Sequence, residues 1–384
     1  MMAFIDLAAQ RKRLGGTIEA AIGRVIERGA FVMGPEVAEL ERRLAALCGE
    51  GVALACASGT DALILPLMAW EIGPGDAVFL PSFTFAATPE AVARLGASPV
   101  FVDIRPDCLT LDPARLEESI EAIERQGHLA PRAVIAVDLF GQPADYPAIA
   151  AICERRGLRL IADAAQGFGA TLHGRHAIAW ADAVSTSFYP AKPLGCYGDG
   201  GAVLTREAAL WERMDSLRIH GQATASDLQG RSFAHEAKYL NARVGLNSRL
   251  DTLQAAVLLA KLDAFEEEIA LRNVAAGRYG AGLEGRVKAT PKVIEGGVST
   301  WAQYTLEHDA RDGLAAHLKR AGIPTAVYYP VPMHLQAPYD GFPAPGGLQV
   351  TEAKAKSVLS LPMHPDLTSE DQDQVVSAIL AFNG

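Results

Sequence analysis

Short apolar runs alternate with amphipathic stretches between about residues 35 and 205. The runs VALAC, AVFLP, PVFVDI, AVIAVDLF and LRLIADA are rich in β-branched and other apolar residues and carry little charge. Continuous runs of this kind are typical of parallel strands buried on both faces, and the stretches between them have a helical period. The pattern therefore predicts a mostly parallel sheet that is covered by helices on both sides.

The alternation changes near residue 180, where two strand-like runs, AVSTSFY and GAVLTR, follow each other without a helix between them. This predicts at least one antiparallel or irregular connection at the edge of the sheet. The next stretch, 220–239, is polar and is expected to be a surface or interface loop. Residues 247–279 have apolar positions at helical spacing, which predicts one long helix with Ser248 and Asp251 as a capping box at its start.

The chain beyond residue 280 has a pattern of its own. The runs AQYTLEH and PTAVYYP are strand-like, whereas RDGLAAHLKRAG and EDQDQVVSAILAF have a helical period. This predicts a small, compact α+β domain over residues 281–384. It follows a large first domain over residues 1–280, which includes the N-terminal segment and the long helix.

Composition and charge exclude several classes of protein. The chain has 384 residues, of which 21% are charged, and a formal net charge of -10, with no Lys- or Arg-rich run. Neither nucleic acid nor an anionic membrane is therefore an expected partner. The five cysteines show no CxxC spacing, which argues against a disulfide framework or a zinc site and favours a reducing compartment. No run has the apolar character of a signal peptide or a membrane span, so the expected location is the cytoplasm.

The segment ASGTDAL, residues 57–63, joins a predicted strand to the start of a helix. Here Ser58, Gly59 and Thr60 can bring hydroxyl groups and free backbone amides close to an anion, as in a phosphate cradle. The alternative is that Ser58 or Thr60 only caps the helix.

A single carboxylate, Asp163, ends the strongly apolar run LRLIAD. A carboxylate in such a position needs a partner, and at the carboxyl end of a parallel strand it can face a cationic atom of a ligand. Gln166, three residues later, can present an amide to the same ligand. Capping of the next helix is an equally suitable role for Asp163.

The segment STSFYPAKPLGCYGDGG, residues 185–201, places one lysine, Lys192, among prolines that restrict the backbone and glycines that free it. Most lysines are solvated surface charges. In an enclosed site, however, a lysine can have a lowered pKa and become a nucleophile toward carbonyl carbon. Ser187 lies on the strand that precedes this loop. Phe85, in PSFTFAAT, is either a core residue or a platform for a flat ring.

These local features can all be explained by one ligand. A phosphate at Ser58–Thr60 and Ser187, an aromatic face at Phe85, a cationic ring nitrogen at Asp163 and an aldehyde at Lys192 correspond to the parts of pyridoxal 5'-phosphate (PLP). Each feature is weak evidence alone, and together they predict a PLP site.

Longer stretches of the chain carry a family resemblance. They are FIDLAAQ, GPEVAELERRLA, SGTDAL, VDLFGQPAD, DAAQGFGA, SFYPAKPLGCYGDGGAV, NSRLDTLQAAVLLAKL, YYPVPMHLQ and LSLPMHP. In these stretches, nearly from end to end, the chain resembles the DegT-type sugar aminotransferases, fold-type I PLP enzymes that act on nucleotide-linked keto-sugars. The resemblance implies an α/β fold of that type, with a mostly parallel central sheet covered by helices and a smaller α+β C-terminal domain.

The resemblance also implies roles for individual residues. Lys192 would bind the cofactor covalently and then move a proton between cofactor and substrate carbons. Asp163 would pair with the pyridinium nitrogen, and Gln166 would contact the hydroxyl side of the ring. The other cofactor contacts would come from Ser58, Gly59, Thr60 and Ser187 at the phosphate and from Phe85 on the ring face.

Asn247 matches a family residue that reaches the phosphate of the cofactor in the neighbouring subunit. The resemblance therefore implies a homodimer with shared active sites. Asn247 can also cap the long helix, and one residue can do both.

Within the family, the chain most resembles enzymes that aminate a UDP-linked 3-keto N-acetylglucosaminuronic acid, through KPLGCYGDGGA, NSRLDTLQAA, WAQYT and LSLPMHP. Arg249 would then meet the sugar carboxylate or a phosphate, although an arginine at a helix start can also be only a salt-bridge partner. Tyr328, Tyr329 and His334 would line the sugar pocket. Tyr328 stands where the family more commonly has a histidine.

The implied activity is transfer of an amino group from glutamate to UDP-2-acetamido-2-deoxy-3-oxo-glucuronate, for surface polysaccharide or lipopolysaccharide O-antigen biosynthesis. The alternatives are another dTDP-, GDP- or UDP-linked 3- or 4-keto-sugar, or a cyclitol ketone. A PLP-dependent sugar dehydratase resembles this chain but lacks the lysine, so Lys192 argues against that activity. A non-catalytic sensor of nucleotide-sugars would not need Lys192, Asp163 and the phosphate segment together.

Overall fold

The apolar runs of the first half of the chain form one central sheet in the computed structural model, which describes residues 2–228 and 239–383. The strands within these described residues are β1 (Val52–Cys56), β2 (Asp76–Pro81), β3 (Ser98–Val102), β4 (Ala130–Val137), β5 (Arg159–Asp163), β6 (Thr171–Leu172), β7 (Ala183–Ser187), β8 (Gly201–Thr205), β9 (Gly297–Val298), β10 (Tyr304–Glu307) and β11 (Val358–Leu361). The central sheet has seven of them, in the order β1-β8-β7-β5-β4-β2-β3. The predicted strands of the first half are therefore confirmed.

The sheet is parallel except at β8, which pairs antiparallel with both β1 and β7. Because β7 and β8 are joined by a loop without a crossover helix, the chain must return in the opposite direction. The predicted antiparallel connection is confirmed. Its predicted place is one strand off, since β1 pairs with the outer side of β8 and forms the edge.

Helices cover both faces of the sheet. In chain order the described helices are α1 (Leu7–Arg13), α2 (Thr17–Arg28), α3 (Pro35–Cys48), α4 (Gly59–Ala69), α5 (Ala87–Arg94), α6 (Pro113–Gln126), α7 (Tyr146–Arg156), α8 (Ala208–Arg218), α9 (Ala225–Leu228), α10 (Thr252–Leu262), α11 (Phe265–Leu283), α12 (Arg311–Arg320), α13 (Gln349–Ser357) and α14 (Ser369–Leu380). In β2, Ala77 and Phe79 pack into one core with α3, α6, α7 and α10, whereas Val78 and Leu80 pack with α4, α5 and α8 on the other face. This alternation is what a strand buried on both sides requires.

The predicted long helix is wrong, because α10 ends at Leu262 and α11 begins at Phe265. Tertiary packing explains the break. Helix α10 packs on α2 and α3, whereas α11 continues to α14. The predicted capping box is wrong as well, since the Ser248 hydroxyl donates to Asp61 Oδ2 at 2.7 Å instead of capping α10.

The C-terminal part has a hydrophobic core of its own. Helices α11, α12 and α14 enclose the antiparallel pair β10 and β11, with Tyr279 and Tyr304 in ring contact at 5.0 Å. The predicted strand in PTAVYYP is wrong, because only a single bridge from Ala326 to Ser360 forms there. The division of the chain at residues 280 and 281 stays a prediction.

Two further sequence expectations concern the surface. Residues 229–238 of the predicted polar loop lie outside the described residues. Within residues 2–228 and 239–383, no helix combines the length and the apolar character that crossing a bilayer requires.

Candidate active site

A cavity of about 430 Å³ opens where the carboxyl ends of β1, β2, β5 and β7 meet. Crevices at this edge of an open α/β sheet are the usual place for a ligand. Of the residues selected from the sequence, those that line it are Ser58, Gly59, Thr60, Phe85, Asp163, Gln166, Ser187, Lys192, Tyr328 and Tyr329. The fold therefore brings together residues that are more than 200 positions apart in the chain.

One wall of the cavity is the N-terminus of α4. Ser58 has extended backbone angles and its hydroxyl accepts the amide of Asp61 at 3.1 Å, so Ser58 does cap the helix. A Cβ on Gly59 would lie 2.6 Å from the Ser187 Cβ, and one on Gly201 would lie 2.3 Å from the Ser58 carbonyl oxygen. These contacts require glycine, and they bring the Ser187 hydroxyl beside the free amides of the helix. The result is a concave group of donors that suits a phosphate.

The opposite wall holds Asp163, the last residue of β5, which is 5% exposed. Its Oδ2 accepts the Thr88 hydroxyl at 2.9 Å and its Oδ1 accepts the Ala165 amide at 3.2 Å. Burial raises the pKa of Asp163, while the two hydrogen bonds and the charge of Lys192 act in the opposite direction. A cation bound beside this carboxylate would offset the cost of its burial.

Lys192 lies half-buried in the loop between β7 and β8. The loop is closed by backbone bonds from Lys192 to Tyr189 and from Cys196 to Phe188, each 2.8 Å long. At Gly195 a Cβ would lie 2.4 Å from the Pro190 carbonyl oxygen, so only glycine fits the turn. Burial lowers the pKa of Lys192, and the charge of Asp163 partly offsets that effect. The lowered pKa increases the unprotonated fraction of the amine. This is the form that attacks carbonyl carbon, and the loop holds it in the cavity wall.

Aromatic side chains and an amide complete the cavity. The Phe85 ring is 56% exposed and lies 6.3 Å from the Tyr329 ring, so it offers a free face. Gln166 accepts the Phe140 amide at 2.7 Å and donates to the Tyr329 hydroxyl at 3.1 Å. Both partners fix the direction of the Gln166 amide. Burial raises the pKa of Tyr329, which keeps its hydroxyl protonated.

Three residues predicted to contact ligands are not part of the cavity lining within the described residues: Asn247, Arg249 and His334. Asn247 is exposed, and its Oδ1 accepts two bonds from the Arg249 guanidinium at 3.0 and 2.7 Å. His334 bonds to the Ser82 hydroxyl through Nδ1 at 2.7 Å and to Glu352 through Nε2 at 3.4 Å. These bonds hold the His334 ring outside the lining of the cavity, and its predicted contact with the sugar stays a prediction.

Other cavity residues were missed in the sequence. Thr84, Thr88, Gln303 and Ile5 line the cavity, and Ile5 arrives there from the N-terminal segment. The two threonines are four positions apart where α5 begins. This helical spacing, which places both on one face, can be seen in the sequence. Gln303 and Ile5 come from distant parts of the chain, and only the fold places them here.

The residues present fit PLP. The donors at the N-terminus of α4 and on Ser187 would hold its phosphate, the free face of Phe85 would cover its ring, and buried Asp163 would face its ring nitrogen. Lys192 is the primary amine that would carry its aldehyde.

The chain is similar to known aminotransferases along nearly its whole length. The model of the DegT/DnrJ/EryC1/StrS aminotransferase family matches residues 12–380. A protein of Pseudomonas aeruginosa named UDP-2-acetamido-2-deoxy-3-oxo-D-glucuronate aminotransferase is 44% identical over 379 residues, which is 99% of each chain.

Solved structures show the same similarity. A DegT DnrJ EryC1 StrS aminotransferase from Brucella abortus is 48% identical, with a TM-score of 0.95 and coverage of 100% of both chains. NtdA from Bacillus subtilis, solved with the bound cofactor PMP, is 28% identical with a TM-score of 0.83, covering 98% of this chain and 82% of NtdA.

Proposed function

The chain belongs to the DegT/DnrJ/EryC1/StrS aminotransferase family, and from this premise we propose that it aminates UDP-2-acetamido-2-deoxy-3-oxo-glucuronate with glutamate as the amino donor. Family membership confirms the predicted fold type, the transaminase activity, PLP as cofactor and a nucleotide-linked keto-sugar as substrate class. The specific acceptor is supported by the 44% identity to the Pseudomonas aeruginosa enzyme along nearly the full chain.

One structural observation supports the chemistry. Lys192 and Asp163 line the same cavity, and the charge of each alters the pKa of the other. When bound, PLP supplies an aldehyde and a cationic ring that withdraws electrons from the carbon at which a proton is exchanged. Lys192, released as a free amine, would take that proton from one carbon and return it to another. Asp163 would keep a negative charge beside the ring nitrogen.

The remaining residues would bind and orient. The amides at Gly59 and Thr60 and the Ser187 hydroxyl would hold the phosphate, which anchors the ring in one orientation. Phe85 and Tyr329 would cover the ring and limit access of water. Tyr328, which also lines the cavity, would contact the sugar. Arg249 lies outside the lining of its own chain and would reach a sugar only in the site of a second copy.

A homodimer with shared active sites is part of this proposal. Phe31, Val32 and Met33 form an exposed apolar strip, and Val32 bridges to Asp251 at the start of α10. The strip therefore lies close to exposed Asn247 and half-buried Arg249, neither of which lines the cavity. A second copy of the chain would cover the strip and receive these two polar side chains.

Mixing two inactive variants tests the sharing of sites. A Lys192→Ala subunit paired with an Asn247→Ala subunit should regain part of the wild-type activity, because one site in the hybrid contains both wild-type groups. Confirmed subunit exchange with no recovery would contradict shared sites. Each variant mixed with itself is the control.

The acceptor is tested with a panel of keto-sugar nucleotides and one cyclitol ketone, each incubated with the PLP-loaded protein and glutamate. Mass spectrometry should show the amino product from the UDP-linked 3-keto uronate first. Exclusive amination of another panel member would replace the proposed acceptor, and a protein that aminates none of them would contradict the function.

Two further parts of the proposal concern organisation. We place the protein in the cytoplasm, in support of which all five cysteines are free thiols. We also retain the division into residues 1–280 and 281–384, supported by the separate hydrophobic core of the C-terminal part.

A further inference from the structure

A chain of two threonine hydroxyls ends at the carboxylate of Asp163. Thr88 Oγ1 lies 2.9 Å from Asp163 Oδ2, and Thr84 Oγ1 lies 3.0 Å from Thr88 Oγ1. Both threonines are only 1% exposed, and both line the cavity. The three groups therefore form a hydrogen-bonded row shielded from water.

The charge of Asp163 fixes the direction of the protons in this row. An ionised carboxylate can only accept, so the Thr88 proton must point to Asp163. The Thr88 oxygen is then left to accept, and the Thr84 hydroxyl becomes its donor. Both hydroxyl dipoles then point toward the carboxylate, and each strengthens the other in a region of low dielectric.

The local fold explains why the row is rigid. Thr88 lies in the first turn of α5 and Thr84 precedes that helix. Their spacing of four residues brings the two side chains to one face of the turn. Phe85 lies between them in sequence, and its carbonyl accepts the Thr88 amide at 3.2 Å. One turn thus presents the Phe85 ring to the cavity and two hydroxyls to Asp163.

We propose that Thr88, supported by Thr84, is a positioning residue that fixes the direction and the negative charge of the Asp163 carboxylate. The inference rests on the proposed function, in which Asp163 pairs with the cationic ring nitrogen of PLP. The Thr88 hydroxyl acts on the cofactor only through Asp163.

Other groups around Asp163 act on its charge as well. Lys192 stabilises the carboxylate. Buried Asp138, which follows β4, opposes it as a like charge when ionised, and Tyr146 and Tyr329 also interact with Asp163. Burial raises the pKa of Asp163, and among the effects that oppose this the Thr88 hydrogen bond is the largest. Loss of that bond should therefore favour the protonated acid.

The test compares Thr88→Val, which keeps the side-chain shape without the hydroxyl, with Thr88→Ser, which keeps the hydroxyl. Cofactor-free protein labelled with ¹³C at the aspartate carboxyls is titrated by NMR, with Asp163→Asn identifying the Asp163 signal. We expect Asp163 to titrate at higher pH in Thr88→Val than in wild type, and Thr88→Ser to restore the wild-type curve.

The loaded enzyme gives the second readout. Conversion of the cofactor by glutamate in a single turnover should be about tenfold slower in Thr88→Val, as expected for loss of a hydrogen bond to a charged group. Thr84→Val should show a smaller effect in the same direction, and it keeps the proposal testable if Thr88→Val does not fold.

An unchanged Asp163 titration in Thr88→Val and Thr84→Val would overturn the proposal, even if both variants melt at lower temperature. The titration uses cofactor-free protein, so its result stands apart from the acceptor panel. Failure of the panel with a shifted titration would contradict only the proposed function.

Discussion

Two groups of charged side chains in this protein lie in opposite surroundings, one exposed to solvent and one in the cavity. On the outside of α6 and α7, Arg156 lies 3.5, 3.0 and 3.1 Å from Glu117, Glu121 and Glu124, and the three carboxylates are exposed to solvent. In the cavity, by contrast, Asp163 is buried and Lys192 is half-buried. The outer group has many ion pairs, yet exposed pairs of this kind contribute little to stability.

The difference lies in the surroundings of the charges. Water already stabilises the exposed carboxylates, so their partners add little. Burial disfavours the charged forms of Asp163 and Lys192, which raises the pKa of the first and lowers that of the second. Perturbed groups that meet in a cleft are typical of a functional site. The number of ion pairs is thus a poor guide to the chemistry of this molecule.

The largest effect is expected at Lys192. Lys192→Ala should slow conversion of the cofactor by glutamate at least about a thousandfold, because the proton carrier is lost. The melting temperature should change little, because the variant avoids the cost of burying the amine but also loses a charge that stabilises the Asp163 carboxylate. Lys261→Ala is not a suitable control because that lysine is also buried, so exposed Lys288→Ala serves instead. Substantial turnover in Lys192→Ala would contradict its role.

The second largest effect is expected at Asp163. Asp163→Asn should slow the same half-reaction by about a hundredfold or more, since the negative charge beside the ring nitrogen is lost. The matched control is Asp263→Asn, the same chemical change at an exposed residue paired with Arg43. If both variants turn over at similar rates, the charge of Asp163 has no part in the chemistry.

Asp138 allows a test on stability alone. Its Oδ1 accepts the Tyr146 hydroxyl at 2.7 Å and the Ala144 amide at 2.9 Å, and burial raises the pKa of Asp138 to about 7 from 3.8. The folded state therefore binds the proton more tightly than the unfolded state. The stability from this group is fully present below about pH 4 and is lost as the pH rises to about 7.

Asp138→Asn keeps both accepted hydrogen bonds and removes the titration. Relative to this variant, wild type should lose on the order of a few kcal/mol of unfolding free energy between pH 4 and pH 8. Urea unfolding of the cofactor-free proteins at several pH values measures it. Parallel pH profiles for the two proteins would contradict the raised pKa.

The smallest effect is expected on the outer face. Glu121→Gln should change the melting temperature by less than about 2 °C, and added salt should reduce the difference further. Scanning calorimetry at low and high salt measures it. A large, salt-independent loss would mean that the outer group is not merely a solvated surface, and the contrast with the cavity would no longer hold.

Much of the architecture was predictable because burial on both faces leaves a direct mark on a strand. The continuous apolar run around Phe79 is one such mark, and its neighbours do pack into two separate cores. Lys192 and Asp163 were predictable for a related reason, since a charge next to an apolar run or inside a glycine-bounded loop needs an explanation. Both line the cavity.

The errors have a common cause as well. Helical spacing through Asp263 continues across the break between α10 and α11, and the break follows from where each half packs. Ser248 has the right spacing for a cap, but its hydroxyl bonds to Asp61, which lies 187 positions away. Such choices between a local and a distant partner depend on the folded chain.

The sequence by itself determined the strands of the central sheet, the family, and the candidate side chains for the chemistry, because apolar period, backbone restriction and unusual charges are local properties. Only the tertiary structure decided which polar groups meet: the Thr84 and Thr88 hydroxyls at Asp163, Gly59 against Ser187, and Gln166 between Phe140 and Tyr329. Hydrogen bonds extend only about 3 Å, so such meetings depend on how distant segments pack and are not contained in any local pattern.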